Sequence, residues 1–184
     1  MSLAPTFPPA AAPTAEVDET LARTSFVRSM GMAATGVTIV STDGPAGRFA
    51  QTVSAMASVS ADPPCLLVCV HDKSPLAQAV IANGTLAVNV LATDQADAAQ
   101  TFAGQAPDGS APYDFSRHAW RTGALAQPLL DASAAVFECR LIGHHRYGTH
   151  HVFVASPVQS LPGAADAAPM TYHARSFGSH TPAA

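Results

Sequence analysis

The chain has 184 residues and a mass of 18.8 kDa, enough for one domain that buries its own core without disulfide or metal staples. Nine Lys and Arg stand against 13 Asp and Glu, a formal charge of −4 with no basic cluster anywhere, which excludes a nucleic-acid surface built on charge. Only 12% of residues are charged while 48% are AVILMFWYC, so a thinly charged surface is expected to be covered in part by a second copy of the chain.

Residues 1–15 combine Pro5, Pro8, Pro9 and Pro13 with many alanines, and the composition predicts a disordered leader ahead of a domain spanning 16–184. There is no basic segment followed by an apolar one at the start, and no run of about 18 apolar residues, so the expectation is a cytoplasmic protein without membrane contact. From Asp18 a helix is predicted, with Ala22, Phe26, Met30 and Ala33 on one face and Arg23 and Arg28 turned away, ending near Thr35-Gly36. Val37–Thr42 and Arg48–Ala55 read as a hairpin around the turn residues Asp43-Gly44-Pro45-Ala46-Gly47.

Cys65–Val70 is short, apolar throughout and bounded by Pro63-Pro64 and His71-Asp72, the pattern of a central strand. Ser74-Pro75 opens a helix over 75–82 and Asn83-Gly84 stops it. Leu86–Leu91 is the next strand, and Thr93-Asp94 is expected to cap a short helix through Thr101-Phe102. Residues 103–128, rich in Gly, Pro, Asp and Ser, read as loop, with Trp120 needing apolar surface to lie against. Val136–Ile142, Val152–Val158 and Met170–Tyr172 complete about six or seven strands with two or three helices, which describes a β-barrel with helical covers.

Cys65, Cys69 and Cys139 make an odd count with no C-x-x-C, and they read as buried reduced thiols. His144-His145 and His150-His151 would face each other across a turn at Arg146-Tyr147-Gly148. No carboxylate or thiol has ligand-like spacing to them, so no metal site is assigned. There is no G-x-S-x-G, no P-loop, no H-E-x-x-H and no G-x-G-x-x-G after a strand, so a nucleotide, if bound, is not held by a Rossmann unit.

Several segments occur in a familiar order: Thr35-Gly36-Val37-Thr38-Ile39-Val40-Ser41-Thr42-Asp43-Gly44, Thr52-Val53-Ser54-Ala55-Met56-Ala57-Ser58 through Asp62-Pro63-Pro64, and Leu66-Leu67-Val68-Cys69-Val70. Leu86-Ala87-Val88-Asn89-Val90-Leu91, Phe102-Ala103-Gly104, Trp120, Leu125–Leu130, Gly148-Thr149-His150, and Tyr172 with Arg175 and Phe177 follow. Together they resemble the flavin reductase family with a flavin-binding split β-barrel, and among its members the reductase components of two-component aromatic monooxygenases. The likeness covers roughly residues 25–177.

The resemblance implies an NAD(P)H:flavin oxidoreductase, with NADH or NADPH as hydride donor and FMN or FAD as acceptor, working as a homodimer and supplying reduced flavin to a partner monooxygenase. It also leaves open a non-catalytic flavin-binding module, or a reductase of another acceptor such as a metal-corrin. It places Thr52, Val53, Ser54 and Ala55 along the isoalloxazine, with Cys69, Phe102 and Tyr172 close by. It puts His71, Lys73 and Ser74 where family members carry an Asn-Arg-Ser-type sequence at the flavin phosphate, with Asp72 as a departure from that pattern. It makes His150 the catalytic histidine, near flavin and nicotinamide. By residue type alone, Thr52–Ala55 reads as an edge strand, Ser74 as a helix cap, Lys73 as a solvated charge and His150 as a histidine at a strand end.

Overall fold

The computed structural model describes residues 18–181, so the expected leader at 1–15 lies outside them. The chain divides into two compact units at Ala33/Ala34. In the first, α1 (Glu19–Met30) starts where the Asp18 carboxylate accepts the Thr20 and Leu21 amides, at 2.9 and 3.1 Å. The helix stops at Met30 rather than near Thr35-Gly36, because beyond Gly31 the amides of Met32 and Ala33 bond three residues back, to Ser29 and Met30. None of its residues is buried, and the expected apolar face is open, Phe26 being 65% and Met30 53% exposed.

In the second unit the strands are β1 (Thr35–Gly36), β2 (Thr38–Thr42), β3 (Phe49–Val53), β4 (Met56–Ala61) and β5 (Pro64–His71), followed by α2 (Pro75–Asn83), β6 (Thr85–Val90) and α3 (Ala96–Phe102). The chain continues through β7 (Trp120–Thr122), β8 (Pro128–Leu130), β9 (Ala135–Tyr147), β10 (His150–Pro162), β11 (Met170–His173) and β12 (Ser176–Ser179). Seven strands form one antiparallel sheet in the order β3-β2-β6-β9-β10-β5-β4. Its two edges, β3 and β4, are consecutive in the chain and joined by Ser54 and Ala55 alone.

Six inter-strand steps of about 4.8 Å would put the edges of a flat sheet roughly 29 Å apart. The link from Val53 to Met56 reaches at most about 11 Å. The sheet must therefore curl until its edges meet. Among the described residues no ladder joins β3 to β4, so the seam stays open and the barrel is split there, as expected of a mainly β split barrel with a few covering helices.

Val40, Val53, Val68, Val88 and Phe153 fill one side of the curled sheet beneath Leu76 and Val80 of α2. A second cluster joins Val37, Ile39, Leu91, Leu130 and Met170 to Phe102 of α3, with Trp120 and Phe115 edge-on to Phe102. Trp120 thus has the apolar surface its size requires. The cap on α2 is the one the sequence predicts: Ser74 Oγ accepts the Leu76 amide, and Gly84 takes the left-handed φ of 70° that ends the helix.

Four expectations are corrected. The cap of α3 is Gln95 rather than Thr93-Asp94; its side chain is committed elsewhere, Oε1 accepting the Ala92 amide and Nε2 donating to the Asp131 carbonyl. The stretch 103–128 is not all loop, since β7 pairs with β8 around it. The described residues hold twelve strands, seven of them in the main sheet, because β4, β12 and the short pairs carry too little alternation to be seen in sequence. Of the three unpaired cysteines only Cys139 is buried, whereas Cys65 and Cys69 are half-buried on β5.

Buried polar groups hold the β7–β8 hairpin to the sheet. Asn89, fully buried on β6, donates to the Ile39 carbonyl and Ser41 Oγ at 3.0 and 3.2 Å and accepts the Leu130 amide at 2.8 Å. Glu138 on β9 accepts the Leu125 and Gln127 amides at 2.6 and 3.2 Å. Gly123 is required beside it, because a Cβ there would collide with the Glu138 carboxylate. Asn89→Ala is expected to lower unfolding stability by about 2–4 kcal/mol, since it strands one amide and two acceptors in the core. Urea denaturation measures this, and a loss under about 0.5 kcal/mol would contradict the account.

Candidate functional site

The seam between β3 and β4 is where small residues and free backbone meet solvent. Ser54 and Ala55 are exposed, and the Ala55 carbonyl accepts the Cys69 amide at 3.0 Å, which ties the crossover to β5. The backbone of β3, as an edge, has ladder groups on one side without a strand partner. Two clefts lie along it, one lined by its first residues and the other by its last. One, of about 540 Å³, is lined by Arg48, Phe49, Gln51, His71, Lys73, Ser74, Tyr113 and Phe115. The other, of about 500 Å³, is lined by Thr52, Val53, Ser54, Gln100, Gln105, Tyr172, Arg175 and Phe177.

The structure therefore brings Thr52, Val53, Ser54 and Tyr172 to one cleft and His71, Lys73 and Ser74 to its neighbour. The Thr52 hydroxyl donates to the Ala99 carbonyl at 2.8 Å, which fixes β3 against α3 and leaves that oxygen only its acceptor capacity. Val53 is buried, so the residue presents backbone rather than side chain to the cleft. Phe102, expected among the groups at the ring, is corrected: its side chain has no exposed surface and supports the site through the core behind α3. Cys69 lies on β5 beside the crossover, and burial raises its thiol above the ordinary range, so it stays protonated at neutral pH. Burial, reinforced by the neighbouring Glu138, pushes the Cys139 thiol up to about 12.

The rim of the first cleft is a set of linked turns. His71 Nδ1 accepts the Lys73 amide at 3.1 Å, which leaves that nitrogen no proton to share with the Asp72 carboxylate 3.3 Å away. Asp72 is balanced instead by Arg146 from the end of β9, at 2.7 Å, and its amide is held by the Thr149 carbonyl. The acidic departure at Asp72 is thus neutralised from the neighbouring hairpin. The Lys73 ammonium, exposed beside it, pairs with no carboxylate among the described residues.

His150 opens β10, opposite His71 in the ladder, and their rings meet edge to face at 5.0 Å. Its Nδ1 lies 3.0 Å from Thr149 Oγ1, and the ring is exposed. His151 projects to the other face, 9% exposed and stacked on Phe153 with centroids 5.6 Å apart. The hairpin turns at Gly148, with φ 56°, rather than placing like histidines opposite: His145 pairs with Val152 and His144 with Phe153. Among the described residues no three of His, Cys, Asp and Glu gather as a metal site would require.

Sequence reasoning missed the far wall of the first cleft. The Arg48 guanidinium sits 4.3 Å over the Phe115 ring, and Tyr113 stands next to it at the cleft. A loop with two aromatics, Tyr113 and Phe115, shortly before Trp120 was the available signal, since loops rarely hold exposed rings without a task. Gln100 and Gln105 were hidden by being ordinary polar residues at a helix end.

A curled antiparallel sheet with an open seam and two clefts along it, with no Rossmann element among the described residues, defines a split barrel. The family model for the flavin reductase like domain matches residues 30–181, and the chain belongs to that family. It is 36% identical over 143 residues to the FMN reductase (NADH) RutF of Ancylobacter novellus, covering 78% of this chain and 77% of that one. The Streptomyces globisporus NADH:FAD oxidoreductase SgcE6, solved with NAD and FAD fragments, superposes with a TM-score of 0.79 at 29% identity, over 91% of this chain and 98% of that one. Nitrilotriacetate monooxygenase component B from Mycobacterium thermoresistibile gives a TM-score of 0.78 at 26% identity, over 90% and 93% of the two chains.

Proposed function

We propose that the protein is an NADH:flavin oxidoreductase that passes hydride from the reduced nicotinamide to FMN or FAD and releases the reduced flavin to a partner monooxygenase. The observation that carries this reading is the pair of clefts lined by successive stretches of one edge strand, opening at a seam where a planar ring finds free backbone groups. The residues present fit a flavin. Lys73 and the Ser74 hydroxyl offer a cation and a donor to a phosphate in the first cleft, while Ser54, Ala55 and the Val53 backbone lie close enough to approach a flat ring.

Flavin, when bound, supplies the hydride acceptor; the protein positions it. The backbone of β3 and the small side chains at 54–55 hold one face, leaving the opposite face to the nicotinamide. His150, exposed at the rim with Nδ1 engaged by Thr149, keeps Nε2 free to bond the donor's amide or charge that gathers on the ring. No acid–base pair is needed, and none is present at the seam. Asp72, held by Arg146, is kept from opposing the phosphate beside Lys73.

The functional unit in this reading is a homodimer, supported by the low charged fraction and by Leu21, Phe26, Val27 and Met30, all at least 49% exposed on α1. It works in the cytoplasm, where reduced thiols such as these three persist. No helix among the described residues is long and apolar enough to cross a membrane. Light scattering should give a mass near twice 18.8 kDa, and a monomer mass at micromolar concentration would remove the dimer.

Purified protein is expected to oxidise NADH only when FMN or FAD is supplied. Flavin bound without turnover with either NADH or NADPH would instead make it a binding module. His150→Ala should slow stopped-flow flavin reduction by about one to two powers of ten while changing flavin affinity far less. His151→Ala, altering the opposite face, should leave that rate within a few-fold; equal rates for wild type and His150→Ala at saturating NADH would refute the assignment.

A further inference from the structure

The hairpin of β11 and β12 turns on two residues, since His173 pairs with Ser176 across it. Both turn residues, Ala174 and Arg175, have left-handed backbone, with φ of 48° and 65°. Glycine or asparagine fills such a two-residue turn without strain, whereas a side chain with a Cβ and long stem is disfavoured there. The turn itself gives no reason for an arginine. Backbone held against its preference at a cleft edge points to a task for the side chain.

Arg175 lines the second cleft with Thr52, Ser54, Gln100, Tyr172 and Phe177. Among the described residues it pairs with no carboxylate, in a chain with only nine Lys and Arg. We propose that Arg175 binds a phosphate of the nicotinamide donor's pyrophosphate, which makes the second cleft the donor's. This inference rests on the oxidoreductase reading above. The first cleft already has Lys73, Arg48 and Ser74 for the flavin's own phosphate. A flavin with its phosphate there and its ring at Ser54 leaves the second cation for a second anion. The cleft suits a dinucleotide: Tyr172 and Phe177, with centroids 5.6 Å apart, offer flat faces, Gln100 and Gln105 offer amides, and a guanidinium fork matches phosphate oxygens.

The proposal separates stability from binding, because relieving the turn and removing the cation act in opposite directions. In the full chain, R175G should raise the melting temperature by about 2–4 °C, as glycine takes the left-handed position without strain. The same variant should weaken binding of ADP-ribose, a redox-inactive probe followed by calorimetry, about tenfold, and raise KM for NADH to match while KM for FMN does not follow. R175K, which keeps the charge but not the fork, should fall between. Unchanged ADP-ribose affinity in R175G, or a rise in KM for FMN instead of NADH, would overturn the assignment. Wild-type protein that binds ADP-ribose through Arg175 yet never turns over NADH with flavin would defeat the oxidoreductase reading, and with it the donor's place in the cleft, while keeping Arg175 as the contact of a nucleotide pyrophosphate.

Discussion

Two residues govern the architecture. Because Ser54 and Ala55 alone connect the two edges of a seven-stranded sheet, the sheet has to close on itself, and the only place where it stays open is the seam those residues occupy. Everything that handles ligand in this account follows from that constraint. The seam exposes edge backbone, small side chains let a flat ring come close, and the curl brings the end of β5 and the β9–β10 hairpin to the same rim. A larger side chain at either position would obstruct the ring without adding any contact the sheet lacks.

The polar groups are divided between keeping the barrel curled and serving the clefts. Asn89, Gln127, Ser41 and Glu138 are buried and hydrogen-bonded chiefly to backbone groups. Lys73, Arg48 and Arg175 line the clefts as cations with no carboxylate partner among the described residues, and the exposed His150 stands beside the first cleft against His71. A protein with a net charge of −4 thus presents positive charge where the proposed function brings two anionic nucleotides together. Chemistry by hydride transfer asks little else of the side chains, since the flavin and the nicotinamide carry the redox step.

The fold was largely legible in sequence where period and punctuation agree. Leu86–Leu91 is apolar because both faces of β6 are covered, Cys65–Val70 because β5 buries one face and half-covers the other, and Ser74-Pro75 with Gly84 brackets α2 almost to the residue. The first helix was over-extended because its alanines continue the apolar spacing past Gly31, while Thr35 is claimed by the ladder with Tyr172. β4 and β12 escaped notice since strands with mostly exposed, small residues have no alternation to read. The site was legible only in part. The resemblance singled out Ser54, Lys73 and His150 as candidates, which the structure places in the two clefts and beside His71, and the opposite orientations of His150 and His151 follow from strand geometry alone. Phe102 went the other way: its place in a matching motif says nothing of which side of α3 it faces, and burial in the core decides that. Arg48, Tyr113 and Phe115 come together only through the fold, from a hairpin and a loop far apart in sequence.

Amide hydrogen exchange with and without FMN tests the central claim, that the open seam is where flavin lies. The account predicts that FMN slows exchange most at residues 50–56 on both sides of Ser54-Ala55 and at 71–75, with Thr149–His151 following. Protection confined to the region around Asp97, His118 and Asp131, where a third and smaller cleft lies on the far side of α3, with exchange at the seam unchanged, would contradict it.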